Sequence, residues 1–191
     1  MNKETTFIGV AALIIGFLLG LLVGGKYMSS RVVPGEQQQN IQQGSGVSIN
    51  PGQSAARIVE LEQLVAKDPK NLQALITLGN DYFDSNQAQK AVQTYSKALA
   101  LDPNNANVLT DQGVMFRALG FYDRALTNFE KANKIDPKHL QSLFNTGIVY
   151  AVDLKQPAKA KAVFETLLQK DQTSDLARQA REMLKQLPAD K

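Results

Sequence analysis

The chain has 191 residues and a formal net charge of +3 at pH 7, from 21 lysines and arginines against 18 aspartates and glutamates. The positive charge is weak and spread along the chain, without the basic run that would favour binding to nucleic acid. The sequence holds no cysteine and one histidine, which excludes disulfides, thiolate metal sites and cysteine nucleophiles.

A stretch without a polar side chain lies near the first residue, at positions 7–25, FIGVAALIIGFLLGLLVGG. As a helix it would extend about 28 Å, close to the thickness of the hydrocarbon layer of a bilayer. It is longer than the apolar region of about 7 to 15 residues that is typical of a cleaved signal peptide. We therefore predict a transmembrane helix that anchors the chain in the lipid bilayer, with a cleaved signal peptide as the alternative.

Four small residues of this stretch recur at intervals of four and would share one helix face. They are Ala12, Gly16, Gly20 and Gly24. Small residues let two helices approach closely in lipid, so this face could join two copies of the chain into a homo-oligomer. Glycine is also common in membrane helices in general, so an anchor that does not dimerise is an equal alternative.

The tail and anchor occupy residues 1–33, and their charges do not determine the orientation of the span, because Lys3 precedes it while Lys26 and Arg31 follow it. Long domains are exported largely regardless of charge, so we expect the C-terminal part to lie outside the cytoplasm. Residues 34–54 are rich in Gln, Gly, Ser and Asn. This composition predicts a flexible linker.

A spacing of 34 residues organises the rest of the chain. The tetrapeptide DPKN at 68–71 returns as DPNN at 102–105 and as DPKH at 136–139. Other columns share this spacing: Leu75, Leu109 and Leu143; Gly79, Gly113 and Gly147; Tyr82, Phe116 and Tyr150. A period of this size is typical of a solenoid of stacked units.

Each unit contains two apolar patterns with helical spacing, which predicts a helical hairpin. In the first unit these are Leu75, Leu78, Gly79 and Tyr82, then Ala91, Tyr95, Ala98 and Leu99. In the third unit the later columns move by one residue, to Ala160 and Phe164. This shift predicts one inserted residue in the turn DLKQPAK.

The Asp-Pro pairs are expected to end the second helix of each hairpin, because proline disfavours helical backbone at the residue before it. Asn71, Asn105 and His139 stand two residues after these prolines, where a side chain can cap the next helix. His139 is therefore predicted to be a capping residue and not a metal ligand.

With these columns the units resemble tetratricopeptide repeats, which carry Leu, Gly, Tyr, Ala, an aromatic residue, Ala and Pro at the same offsets. The resemblance covers three repeats, at about 72–105, 106–139 and 140–173. Gln112 and Thr146 depart from it by replacing the leucine before the glycine, and Leu167 replaces an alanine. Less regular packing is expected in the second and third repeats.

The resemblance implies an all-α fold, a right-handed α-solenoid of three helical hairpins. Residues 55–187 are predicted to form this domain, which begins with an unpaired helix at 55–66 and ends with a capping helix at 174–187. These two helices would cover the open ends of the stack. Eight helices are expected, after the single transmembrane helix.

A concave face is also implied, formed mainly by the first helix of each hairpin, which binds an extended peptide or a helix of another protein. The residues expected to line it are Gln73, Ile76, Thr77, Asn80, Phe83, Asn107, Thr110, Asp111, Val114, Arg117, Gln141, Phe144, Asn145 and Ile148. Its amides could pair with a ligand's backbone while its apolar residues accept side chains. The alternative is that Ile76, Phe83 and Phe144 only pack between neighbouring repeats.

Some members of this family hold a chaperone's C-terminal carboxylate through three cations and two asparagines. The matching positions here are Ile76, Asn80, Asp111, Gln141 and Asn145, so the cations are missing and this role is not expected. No catalytic motif places two carboxylates together. We predict a protein that is not an enzyme and that takes no cofactor or metal ion.

The predicted function is that of a membrane-tethered interaction module, which holds a polypeptide client during assembly or maturation of an envelope complex. This architecture is similar to bacterial inner-membrane repeat proteins that assist c-type cytochrome maturation or export, with the repeats in the periplasm. One alternative is a structural scaffold that self-associates through the glycine face of the anchor. Another is an organelle-surface receptor for targeting peptides.

Overall fold

The computed structural model describes residues 51–188, and in this range the chain folds into eight α-helices without a β-strand. The helices are α1 (Pro51–Lys67), α2 (Leu72–Asp84), α3 (Ala88–Leu101), α4 (Ala106–Ala118), α5 (Tyr122–Ile135), α6 (Leu140–Ile148), α7 (Pro157–Lys170) and α8 (Asp175–Gln186), with a π-helical turn, Val149–Asp153, directly after α6. The prediction of an all-α solenoid with eight helices is confirmed for this part of the chain.

The predicted anchor at 7–25 and its face of small residues, Ala12, Gly16, Gly20 and Gly24, lie outside the described residues, as does most of the predicted linker. Between residues 51 and 188, none of the helices combines the length and the apolar character that crossing a bilayer requires.

The first described helix, α1, begins at Pro51, earlier than the predicted Ala55 and inside the stretch predicted as linker. Proline is compatible with the first turn of a helix, because the first N–H groups of a helix have no partner within it. At its other end α1 stops at Lys67, directly before Asp68-Pro69, where the proline was expected to end it.

The helices form two layers. Each helix packs against the next one in the chain, and in addition α2 contacts α4, α4 contacts α6 and α6 contacts α8. The helices α1, α3, α5 and α7 form the other layer and do not pack side by side to the same extent. The stack is therefore narrower along α2, α4 and α6, which places the hollow of the solenoid on their side.

The repeated glycines lie where the first helix of each hairpin crosses the second. The pairs in contact are Gly79 with Tyr95, Gly113 with Phe129 and Gly147 with Phe164. A Cβ atom built on each glycine would lie 2.4 to 2.5 Å from the nearest ring carbon, closer than van der Waals contact allows. The glycine column and the aromatic column are thus two halves of one contact that recurs in each hairpin.

The inserted residue of the third hairpin lies in the last turn of its first helix, and the prediction that it lies in the DLKQPAK turn is wrong. Lys155, which has a positive φ, comes eight positions after Gly147, whereas in the first two hairpins the corresponding separation is seven. The N–H of Gln156 bonds to the carbonyl of Tyr150, six residues back, where the other hairpins span five. The π-helical turn accommodates the extra residue because it widens the helix while backbone hydrogen bonding continues.

The Asp-Pro turns cap the helices as expected. Asn71, Asn105 and His139 each accept a hydrogen bond from the backbone N–H three residues later, at 3.0, 3.1 and 3.3 Å. The aspartates that open these turns accept from the N–H two residues later, at 2.9 to 3.3 Å. The motif therefore ends one helix, ties the turn and begins the next helix.

Gln112, which departs from the repeat pattern, is buried and joins three helices. Its Nε2 donates to the carbonyl of Val92 at 3.0 Å and to Ser96 Oγ at 2.8 Å, both on α3. Its Oε1 accepts from Asn128 Nδ2 on α5 at 2.8 Å. Where a leucine would make only apolar contacts, Gln112 adds a polar link between the first and second hairpins.

Replacing Asn128 by alanine is expected to lower the free energy of unfolding by about 1 to 3 kcal/mol, because Gln112 Oε1 would lose its donor in the interior. The double variant Gln112→Leu with Asn128→Leu removes both hydrogen-bond partners, so its free energy of unfolding should fall by less. Urea unfolding, followed by circular dichroism, measures the free energy of unfolding of both variants. Thr127→Ala, at the exposed position next to Asn128, is the control. A double variant as unstable as Asn128→Ala would contradict the assigned network.

Candidate functional site

The fourteen residues predicted to line the concave face all lie on α2, α4 and α6. Five are on α2, five on α4 and four on α6, and these are the three helices that contact each other along the narrow side of the stack. The surface formed by these fourteen residues is termed the inner face below. That it binds a ligand remains a prediction.

The polar rim of the inner face consists of four exposed amides, Gln73, Asn80, Asn107 and Gln141. Asn80 Oδ1 accepts a hydrogen bond from the Tyr95 hydroxyl at 2.8 Å, and Asn107 Oδ1 lies 2.9 Å from His139 Nε2. Both amides therefore use their oxygen within the protein. Their NH₂ groups remain as donors that suit the backbone carbonyls of a peptide.

His139 links the second and third repeats. Its Nδ1 accepts from the N–H of Ser142, so its Nε2 carries the proton and donates to Asn107. Burial lowers the pKa of His139, which keeps the ring neutral, as this arrangement requires. Both ring nitrogens are thus occupied by hydrogen bonds that organise the fold.

Thr110 does not belong to the open surface, although the repeat pattern placed it there. Its side chain is buried, with a residue exposure of 1%. The hydroxyl donates to the carbonyl of Ala106 on its own helix at 2.8 Å and lies 3.5 Å from His139 Nδ1. The neighbouring hairpin covers this position, so the inner face is narrower around the middle repeat than predicted.

The apolar residues of the inner face are shared between the core and the hollow. Ile76, Phe83 and Val114 are half-buried and pack against the core of the first hairpin. The centre of the Phe144 ring lies 5.8 Å from the centre of the Phe164 ring, and Ile148 packs against the same apolar cluster around Phe164. Packing into the core therefore covers one side of these residues, and each of them remains partly exposed.

Arg117, predicted as a cation of the inner face, is already paired. Its Nε donates to Asp153 Oδ2 at 2.5 Å and its Nη2 to Asp153 Oδ1 at 3.4 Å. Asp153 is the last residue of the π-helical turn and was not among the predicted residues. The shifted register of the third repeat is the sequence signal that could have located it.

A second guanidinium fork lies at the start of the solenoid, between Arg57 on α1 and Asp81 on α2. Arg57 Nε donates to Asp81 Oδ2 at 2.6 Å, and its Nη2 contacts Oδ1. The side chain of Asp81 is almost fully buried, and this hydrogen bonding raises the pKa of Arg57. Sequence analysis did not identify this pair, since its partners lie 24 positions apart.

Asp84 and Asp111 form no salt bridge with any residue between 51 and 188. Asp111 is half-buried on α4, and Asp84 is exposed at the end of α2. Burial, and to a smaller extent the negative charge of Asp84, raise the pKa of Asp111 to about 6. The inner face thus holds a carboxylate without a cation in a poorly solvated place.

A separate groove of about 680 Å³ lies between α1, α2 and α3, away from the inner face. Its lining includes Val65, Leu78 and Leu101, and none of the fourteen predicted residues. The Lys90 ammonium lies there, 5.0 Å from the centre of the Tyr82 ring. The inner face is by contrast an open surface, on which an extended peptide could lie.

Within residues 51–188 no cluster of acidic and histidine side chains is arranged to hold a metal ion.

Two family models match the chain, one described as TPR repeat at residues 79–114 and one as tetratricopeptide repeat at 110–175. A comparison with curated proteins gives no significant match. Among solved structures, MamA is similar at 18% identity, with 71% of this chain and 87% of that chain covered and a TM-score of 0.60.

Two further solved structures are similar. A tetratricopeptide repeat protein from Parabacteroides merdae ATCC 43184 is 23% identical, with 71% of this chain and 54% of that chain covered and a TM-score of 0.62. The Yersinia enterocolitica type III secretion chaperone SycD, in complex with a peptide of the translocator YopD, is 18% identical. The match covers 61% of this chain and 91% of that chain, with a TM-score of 0.57. At these identities the likeness concerns the fold. From its repeated hairpins and the two matching family models, the chain is a tetratricopeptide repeat protein.

Proposed function

We propose that the chain is a membrane-tethered interaction module, whose inner face holds a polypeptide client during assembly or maturation of a bacterial envelope complex. The observation that carries the binding role is the pairing of donors and apolar surface on the inner face. Asn80 and Asn107 offer NH₂ groups beside the exposed parts of Ile76 and Val114. Such a surface matches the alternating backbone and side chains of an extended peptide.

The comparisons support a peptide or protein as the partner. SycD shares the fold and was solved with a peptide of YopD. Tetratricopeptide repeat proteins are generally scaffolds without catalytic activity, which favours binding over catalysis for this member of the family. A face made of three helices would bury an area near the low end of specific interfaces, under about 1,200 Å², so we expect weak and exchangeable binding.

The membrane part of the proposal rests on the apolar stretch at 7–25, which would make the lipid bilayer a second partner. We propose a single-pass inner-membrane protein with the repeat domain in the periplasm, joined to its anchor by the polar stretch from residue 34 onwards. A linker of this composition would let the repeats reach a client near the membrane surface.

Site-specific photocrosslinking in intact cells tests this function. Gln141 is exposed on α6 and its side chain makes no hydrogen bond within residues 51–188, so a photoreactive residue there should not disturb the fold. We expect it to crosslink a polypeptide, whose identity also reports the compartment. Ile76 and Phe144 are less suitable positions because both pack partly into the core.

Thr127, exposed on the outer helix α5, is the matched control position. Crosslinks that are as strong from Thr127 as from Gln141 would mean that the inner face is not the binding surface. A cytosolic partner would contradict the periplasmic location and leave the binding role in place. No crosslinked polypeptide from Gln141, Gln73 or Asn80 would contradict the binding role itself.

A further inference from the structure

Charge is divided between the two layers of the solenoid. The inner helices α2, α4 and α6 with the π-helical turn carry four aspartates and one arginine, and no lysine, whereas the end helix α8 of the same layer carries three basic and two acidic residues. The outer helices α1, α3, α5 and α7 carry ten lysines and arginines against five acidic residues. The chain as a whole is weakly basic, so the acidic character of the inner side is a property of the fold and not of the composition.

Two of the four inner aspartates already bind an arginine of the same chain. Asp81 holds the guanidinium of Arg57, and Asp153 holds that of Arg117, in each case through both carboxylate oxygens. These two contacts show which kind of group the carboxylates of this side accept. Forked pairing of this type is the favoured geometry between guanidinium and carboxylate.

The other two inner aspartates, Asp84 and Asp111, have no such partner among residues 51–188. Asp84 lies at the end of α2 and Asp111 on α4, two helices in contact, and the charge of Asp84 acts on Asp111 as well as on the Arg57 guanidinium that is paired with Asp81. Phe83 and Val114 lie next to them on the same two helices and are half-buried. A carboxylate that is desolvated beside a like charge is stabilised most by a cation placed between the two.

We infer that the client segment held by the inner face is cationic, with a lysine or arginine placed between Asp84 and Asp111 and apolar side chains placed on Phe83 and Val114. This inference rests on the proposed function and specifies its partner. An acidic segment would bring a third negative charge to the same place, so the inner face would also reject clients of the wrong charge.

Binding of two matched synthetic peptides to the full chain, measured by fluorescence anisotropy, tests the inference. Both peptides carry the same leucine and phenylalanine residues, and they differ only in two lysines that are replaced by two glutamates. We expect the lysine peptide to bind at least tenfold more tightly, and its affinity to fall as salt is raised. Asp84→Asn combined with Asp111→Asn should weaken the lysine peptide about tenfold.

The matched control is Asp123→Asn with Glu130→Gln, which removes two negative charges from the outer helix α5 and should leave binding unchanged. Equal binding of the two peptides, no binding of either, or equal losses in the inner and outer variants would overturn the inference. In each of these cases a client crosslinked from Gln141 would still support the proposed function. If such crosslinks were absent as well, the binding role itself would fail.

Discussion

Replacing Gly113 by valine is expected to lower the free energy of unfolding by about 3 to 5 kcal/mol. A Cβ atom at this position would already lie 2.4 Å from Cε1 of Phe129, and the Phe129 ring is fully buried. The ring must leave its site for the new side chain to fit, so the loss should approach that of deleting a buried phenylalanine. Valine would otherwise cost little in a helix relative to glycine.

A double-mutant cycle separates this contact from a general effect on the helix. Phe129→Ala opens the space that the valine needs, so Gly113→Val should cost much less in that background. Chemical unfolding of the four chains gives the coupling energy, which we expect to exceed about 1 kcal/mol. Ala118→Val, at an exposed position of the same helix, is the control. Strictly additive losses would contradict the contact.

Replacing Asp111 by asparagine is expected to raise the free energy of unfolding at pH 7 by about 1 to 3 kcal/mol. The pKa of Asp111 is raised from 3.8 to about 6 in the folded chain, and each pKa unit corresponds to about 1.36 kcal/mol. Folding is therefore opposed whenever the carboxylate is charged. Asparagine keeps the shape of the side chain and removes the charge.

The advantage of Asp111→Asn should depend on pH in a defined direction. Because the folded pKa lies above the unfolded one, the stability that protonated Asp111 contributes is fully present below about pH 4 and is lost as the pH rises through about 6. The variant should thus match the parent chain near pH 4 and exceed it near pH 7. The exposed Asp123→Asn serves as control, and a constant difference between pH 4 and pH 7 would contradict this account.

The two expectations for Asp111 together describe a residue that costs stability and serves binding. If the inner face takes a cationic client, the same substitution that stabilises the free chain should weaken the complex. Such opposition between stability and function is common at binding sites. A loss of client affinity in a more stable variant cannot be attributed to misfolding.

Prediction from the sequence was most successful where the relevant interactions are local. The helical spacing, the Asp-Pro stops and the caps at Asn71, Asn105 and His139 all involve groups within a few residues of each other. The repeat multiplies these signals, because the same turn chemistry returns at each interval of 34 residues.

Which of the inner-face residues are free to contact a ligand could not be predicted from the sequence. The pattern of its own repeat predicts Arg117 to be an unpaired cation, but the carboxylate of Asp153, 36 positions later, pairs with it. The repeat pattern predicts Thr110 at the surface, but it is buried beside His139, the N-cap of α6. Both outcomes depend on side chains of a neighbouring hairpin, and no pattern within a single repeat records them.

The amino-acid sequence by itself therefore determined the class of fold, the number of described helices and the Asp-Pro turns with their caps, because short-range hydrogen bonding and apolar spacing specify these features. The tertiary structure decided which carboxylates are paired and which are left on the inner face. It also placed the inserted residue in a π-helical turn. These features depend on distances between helices that come together only when the hairpins stack.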